Sequence, residues 1–138
     1  MTGRWSTGRL RVGVVLAVCL VAPVWAQPAA TPGDPQRGRQ IVLDRQRGFC
    51  LLCHSAPLPE EKFQGNLAPD LMQLVQGQSA QALRERLIDP VRFNPDTIMP
   101  RYGQPSMGVR VHPQFAQQVL LQPDEIHDVV AFLMTLQP

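Results

Sequence analysis

Two cysteines three residues apart, with a histidine directly after the second, narrow what this chain can be built around more than any other segment does: Cys50-Leu51-Leu52-Cys53-His54. A disulfide across a two-residue spacer is strained and redox-active, a poor staple. A thioredoxin-like dithiol needs a βαβ setting, and no alternation of strand and helix signals runs along this chain. Structural zinc takes four ligands; beyond these three residues only His112 and His127 are left, with no second cysteine pair. Cys-x-x-Cys-His is instead the spacing of c-type haem attachment, in which both thiols add across the vinyl groups and the next imidazole lies under the iron. With three cysteines and three histidines in 138 residues, a chance match is on the order of one in a thousand. The motif occurs once, so one covalent haem c is expected on Cys50 and Cys53, with His54 as the proximal iron ligand.

The first 26 residues do not read as part of a folded domain. Arg4, Arg9 and Arg11 make a basic start, Val12 to Ala22 an apolar run, and Val24-Trp25-Ala26 a small-x-small end. This is the pattern of a secretory signal peptide cleaved after Ala26, and the apolar run is too short for a membrane span. Cys19 follows the branched Val18 where a lipoprotein site takes a small residue, so lipidation is rejected. Export to the periplasm suits thioether attachment, which takes place outside the cytoplasm. Removing residues 1–26 takes away three arginines and no acid: thirteen Lys+Arg become ten against eleven Asp+Glu, and the net charge moves from +2 to −1. The basic character therefore belongs to the targeting segment, and a nucleic-acid partner loses its support. What remains holds six aromatics and thirteen prolines. Such a chain is poorly supplied for a core of its own, and a bound apolar cofactor answers that need.

The second axial ligand decides the chemistry, because an open iron favours ligand binding and a filled one electron transfer. Met72, Met99, Met107, Met134, His112 and His127 are the candidates. His127 and Met134 fall inside a predicted helix, and Met72 near the start of another, where it reads as core. Met99 lies in Asn94-Pro95-Asp96-Thr97-Ile98-Met99-Pro100, whose prolines and Asn/Asp turn residues give an irregular but stiff backbone. Met99 is the first choice. Met107, between Ser106 and Gly108, is the main rival, with His112 behind it.

Helix signals place these residues. Residues 27–34 read as a flexible tail and 35–138 as one domain. A helix is predicted from Pro35 to about Gln46, with Asp34 as N-cap and Gly48 as its stop. Residues 55–69 form a proline-bearing loop. Asp70 caps a short helix closed by Gly77. Ser79 caps another, with Leu83, Leu87 and Ile88 inward and Arg84 and Glu85 outward, ending before Pro90. Its arginines at 84 and 86 would give that helix a cationic face for docking. After a long loop over 90–113, an amphipathic helix is predicted from Pro123 to Leu136, its stripe formed by Ile126, Val129, Val130, Leu133 and Leu136.

This order of helix, haem motif, proline loop, Met loop and terminal amphipathic helix resembles class I c-type cytochromes, which implies an all-α fold of helices and long loops wrapped around one haem. A narrower likeness rests on Leu83-Arg84-Glu85-Arg86-Leu87-Ile88-Asp89-Pro90, on Asn94 through Met99-Pro100-Arg101-Tyr102-Gly103, and on the helix from Asp124 to Leu136. These segments resemble SoxX, the monohaem subunit family of the SoxAX sulfur-oxidation cytochromes. The resemblance implies that Met99 is the distal ligand and that Gly38 and Phe132 lie where the terminal helices cross. It also implies that Pro69 offers its carbonyl to His54, although Ala68 stands where the family more often has Gly.

The implied activity is that of an L-cysteine S-thiosulfotransferase. Thiosulfate is joined to a cysteine of a SoxYZ carrier, a SoxA-like partner in a heterodimer performs the sulfur chemistry, and the electrons leave through haem to a downstream acceptor cytochrome. With Cys50 and Cys53 committed to thioethers, residues 27–138 keep no free thiol, so this chain has no catalytic sulfur of its own. The alternative is a free-standing soluble c-type cytochrome that carries electrons in the periplasm.

Overall fold

Asp34 and Pro35 begin the first helix as predicted. The computed structural model describes residues 2–3, 32–105 and 111–138; the expected signal peptide with its Ala26 cleavage site, most of the tail, and Met107 lie outside them. Helix α1 spans Pro35–Leu43, and the Asp34 carboxylate accepts the Gln36 and Arg37 amides. It ends three residues before the expected boundary. Asp44 turns the chain there: its side chain accepts the Gln46 amide, and its carbonyl takes the Gly48 amide at 3.0 Å. A single turn, α2 (Cys50–Cys53), follows. Helices α3 (Leu71–Leu74) and α4 (Ala80–Ile88) are capped by Asp70 and Ser79 as predicted. A 3-10 turn over Pro90–Arg92 opens the long loop, and α5 (Pro123–Met134) closes the fold, two residues short of the predicted end. All regular elements among the described residues are helical, and none of these helices is long and apolar enough to cross a membrane.

The frame is the crossing of α1 on α5. A Cβ at Gly38 would come 1.9 Å from the Asp128 carbonyl oxygen, so the two backbones meet directly. Only a residue without a side chain permits that approach. Gly33 makes the same kind of approach to the His127 carbonyl. Asp128, 3% exposed, faces α1 and takes two bonds from Arg37, at 2.7 and 2.9 Å, and one from the Asp34 amide at 2.6 Å. The Arg37 guanidinium holds the Asp128 carboxyl below the usual carboxylate range, and this pairing makes the burial of an acid on an apolar stripe tolerable. Below the crossing, Val129, Val130, Phe132 and Leu133 pack with Ile41 and Val42.

The loop after α4 reaches back at one residue. The Tyr102 amide donates to Leu87 and its carbonyl accepts from Leu121, both at 3.0 Å. Its buried hydroxyl donates to the Gly48 carbonyl at 2.6 Å. One side chain thus joins the Met-bearing arm to the turn that delivers Cys50.

Candidate functional site

Cys50 and Cys53 stand three residues apart on one helical turn, which puts both sulfurs on the same side. The residue before them, Phe49, has φ 56°, in the left-handed region. A bulky residue there costs roughly 1–3 kcal/mol and persists only where the surroundings over-determine it. Burial pushes the Cys50 thiol up to about 11. A protonated, buried thiol is unlike the low-pKa nucleophile of a redox dithiol.

His54 leaves the turn in extended backbone, and its Nδ1 lies 2.6 Å from the Pro69 carbonyl oxygen. A carbonyl only accepts, so Nδ1 carries the proton and Nε2 keeps its lone pair for a ligand. Pro69 is itself held. The Ser55 hydroxyl donates to Asp70 at 2.7 Å, and the Leu71 and Ala68 amides donate to the Ser55 and Cys53 carbonyls. Ala68 at the usual glycine position therefore leaves this carbonyl in place.

Met99 is brought to the same cavity on a loop tied by its own side chains. Asn94 accepts the Asp96 amide and Thr97 accepts the Met99 amide, each at 3.1 Å, and Arg101 pairs with Asp89 at 3.1 Å just beyond. Cys50, His54 and Met99 line an inner cavity whose walls include Val42, Leu71, Leu83, Leu87, Val129 and Leu133. An outer cleft, lined also by Cys53, continues from it through shared residues. Two thiols on one turn, an imidazole fixed in one tautomer, a thioether on the same cavity and apolar walls fit a covalently attached haem.

The other ligand candidates among the described residues stand elsewhere. Met72 is 44% exposed and borders a shallow surface hollow with Gln76 and Leu136, so the expectation that it is core is corrected. Its position on the solvent side of the one-turn α3 leaves it nothing to pack against. Met134 packs on the core, with its sulfur 3.6 Å from the Gln137 amide nitrogen. His112 is exposed and tilts against Phe115. His127 accepts from Arg84 Nε at 3.1 Å. That bond also corrects the outward placement of Arg84: it is spent on α5, while Arg86 turns into the cavity wall. The two arginines do not form one cationic docking face.

Tyr102 is a site residue that no local signal singles out, and Arg86, which reads only as part of a charged helix face, also lines the cavity.

Neither a protein-family model nor a curated protein sequence matches this chain. Among solved structures it is similar to a chain in the crystal structure of SoxXA from P. pantotrophus, with 30% identity and a TM-score of 0.64, over 78% of this chain and 84% of that one.

Proposed function

The chain belongs to the SoxX family of c-type cytochromes, and from that premise we propose that it is the electron-relaying subunit of an enzyme that joins thiosulfate oxidatively to a carrier cysteine. The observation that carries the reading is the convergence of Cys50, His54 and Met99 on one apolar cavity, with His54 Nδ1 anchored on Pro69. Cys50 and Cys53 hold the haem through thioethers, and His54 and Met99 ligate its iron. When bound there, the haem supplies reversible one-electron storage.

The chain's own residues prepare the site. Pro69 fixes the His54 tautomer, the Asn94–Thr97 turns present the Met99 thioether, and the apolar walls keep water away. A thioether raises the potential relative to a second imidazole, which suits an acceptor of electrons. Joining thiosulfate to a thiol forms one sulfur–sulfur bond and releases two electrons and one proton. A chain with one redox centre and no free thiol needs a partner for both the sulfur chemistry and the electron count, hence a SoxA-like subunit, a SoxYZ-type carrier and a downstream acceptor cytochrome. Export by residues 1–26 places this work in the periplasm, with 35–138 as the haem domain behind a short tail at 27–34.

The test starts from the secreted protein. It should carry one haem that resists extraction into acidified organic solvent and gives a c-type pyridine haemochrome. Alone it should not couple thiosulfate to the carrier; with a SoxA-like partner and an electron acceptor, turnover should appear. Full activity from the partner without this chain would overturn the subunit assignment in favour of a free electron carrier.

A further inference from the structure

Arg86 sits in the last turn of α4 and lines both the inner cavity and the outer cleft, beside His54 and Met99. Its guanidinium carbon lies 4.7 Å over the Phe93 ring, a cation–π contact that fixes the orientation of the planar group. Its Nε is buried and has no hydrogen-bond partner among the described residues. A charged donor left in that state carries its full desolvation penalty, and native structures keep such a group where something else answers it. Of the nearby acids, Glu85 accepts from Gln81 at 2.9 Å; Asp89 is ion-paired with Arg101 at 3.1 Å, and its buried Oδ1 likewise has no hydrogen bond among the described residues. Asp96, at the outer cleft, is exposed. No solvent reaches the Nε to replace them.

We propose that Arg86 is a positioning residue that receives a haem propionate, its fork donating to the carboxylate while Phe93 holds the guanidinium plane. The proposal rests on the haem reading above. The two propionates are the only anions a haem carries, and a planar guanidinium matches a carboxylate with two parallel bonds. Buried in an apolar cleft, that carboxylate needs a counter-charge. Without Arg86 its negative charge is uncompensated near the iron and favours the oxidised state, so the arginine raises the reduction potential.

The experiment measures the midpoint potential of the secreted holoprotein after mass spectrometry has confirmed covalent haem. Arg86→Gln should shift the one-electron equilibrium about tenfold toward the oxidised form (59 mV), and Arg86→Lys, which keeps the charge, should fall between it and the parent. Equal potentials in all three, with only the melting temperature moved, would make Arg86 merely structural and overturn the proposal. A fall in Arg86→Gln that Arg86→Lys does not partly restore would also overturn it, because charge would not be the cause. Should Arg86→Gln not accumulate as holoprotein, Phe93→Leu asks the same question from the surface: the ring is 43% exposed, and unstacking it should lower the potential by a smaller factor. No change there overturns the assignment. Absence of covalent haem from the parent protein would instead sink the haem reading itself.

Discussion

The cavity has two sides built in different ways. On the His54 side, the ligand-bearing turn is flanked by α1, whose backbone rests directly on α5 at Gly38, and by a loop whose amides close onto Leu51, Cys53 and Ser55. On the Met99 side, the described residues of 89–122 contain one 3-10 turn and are tied by Asx-type turns, prolines, the Arg101–Asp89 pair and the three bonds of Tyr102. Met99 is half-buried and its neighbour Ile98 is 79% exposed. The first side is a frame; the second is an arm laid against it. Backbone-to-backbone contact leaves the frame no small adjustment, whereas an arm tied at few points opens without unfolding the rest. The stability of the domain should therefore depend on the frame, and the lability of the distal ligand on the arm.

Gly38→Ala tests the frame, and it should have the largest effect on stability. The added methyl would meet the Asp128 carbonyl, a rigid backbone atom that cannot swing aside. The helices must part, at a cost of about 3 kcal/mol, read as a lowered denaturation midpoint. A loss under about 1 kcal/mol would mean that α1 does not need this close approach and that the frame is softer than the crossing implies.

Met99→Ala tests the arm. It should abolish the weak red charge-transfer band of ferric His/Met haem and lower the potential, because a soft thioether that favours ferrous iron is lost. The helical content and the covalent haem should survive. Survival of the band would move the ligand to Met107, and collapse of the fold would show that the arm is as structural as the frame.

The same division describes what could be read from the residues alone. The frame was legible where its information is local: Asp34, Asp70 and Ser79 cap helices within three residues, and the haem motif is contiguous. Gly38 and the Pro69 carbonyl came through family resemblance and agree with the crossing and with the bond to His54; Phe132, from the same resemblance, is buried in the core. What was missed depends on partners far apart in sequence. Asp128 reads as the polar side of an amphipathic helix, but it is buried because Arg37, 91 residues away, meets it. Arg84 and Arg86 read together as one charged face, yet one is bound to His127, 43 residues on, and the other lines the cavity. The pattern carries α1 to about Gln46 with Gly48 as its stop, whereas Asp44 competes locally for the same amides and stops the helix first. Tyr102, bonded to a carbonyl 54 residues before it, has no sequence pattern that announces such a tie.

Tyr102→Phe probes the joint between the two sides and should have the smallest effect. The substitution keeps the buried ring, which packs in the core, and removes only the hydroxyl that donates to the Gly48 carbonyl. The Cys50 sulfur also lies 3.3 Å from that carbonyl. Once Cys50 is a thioether it has no hydrogen to donate, so the variant leaves the carbonyl without either donor. Losing a buried hydrogen bond of this kind costs about 1–2 kcal/mol, measured by denaturant unfolding of the holoprotein. The backbone bonds of residue 102 to Leu87 and Leu121 do not involve the hydroxyl, so the arm stays docked and Met99 stays near the iron at room temperature. On warming, however, the red band should disappear at a lower temperature than in the parent, while the loss of helical signal shifts less. If the band and the helices instead melt together in both proteins, the arm and the frame unfold as one unit, and the contrast drawn between the two sides of the cavity does not extend to their dynamics.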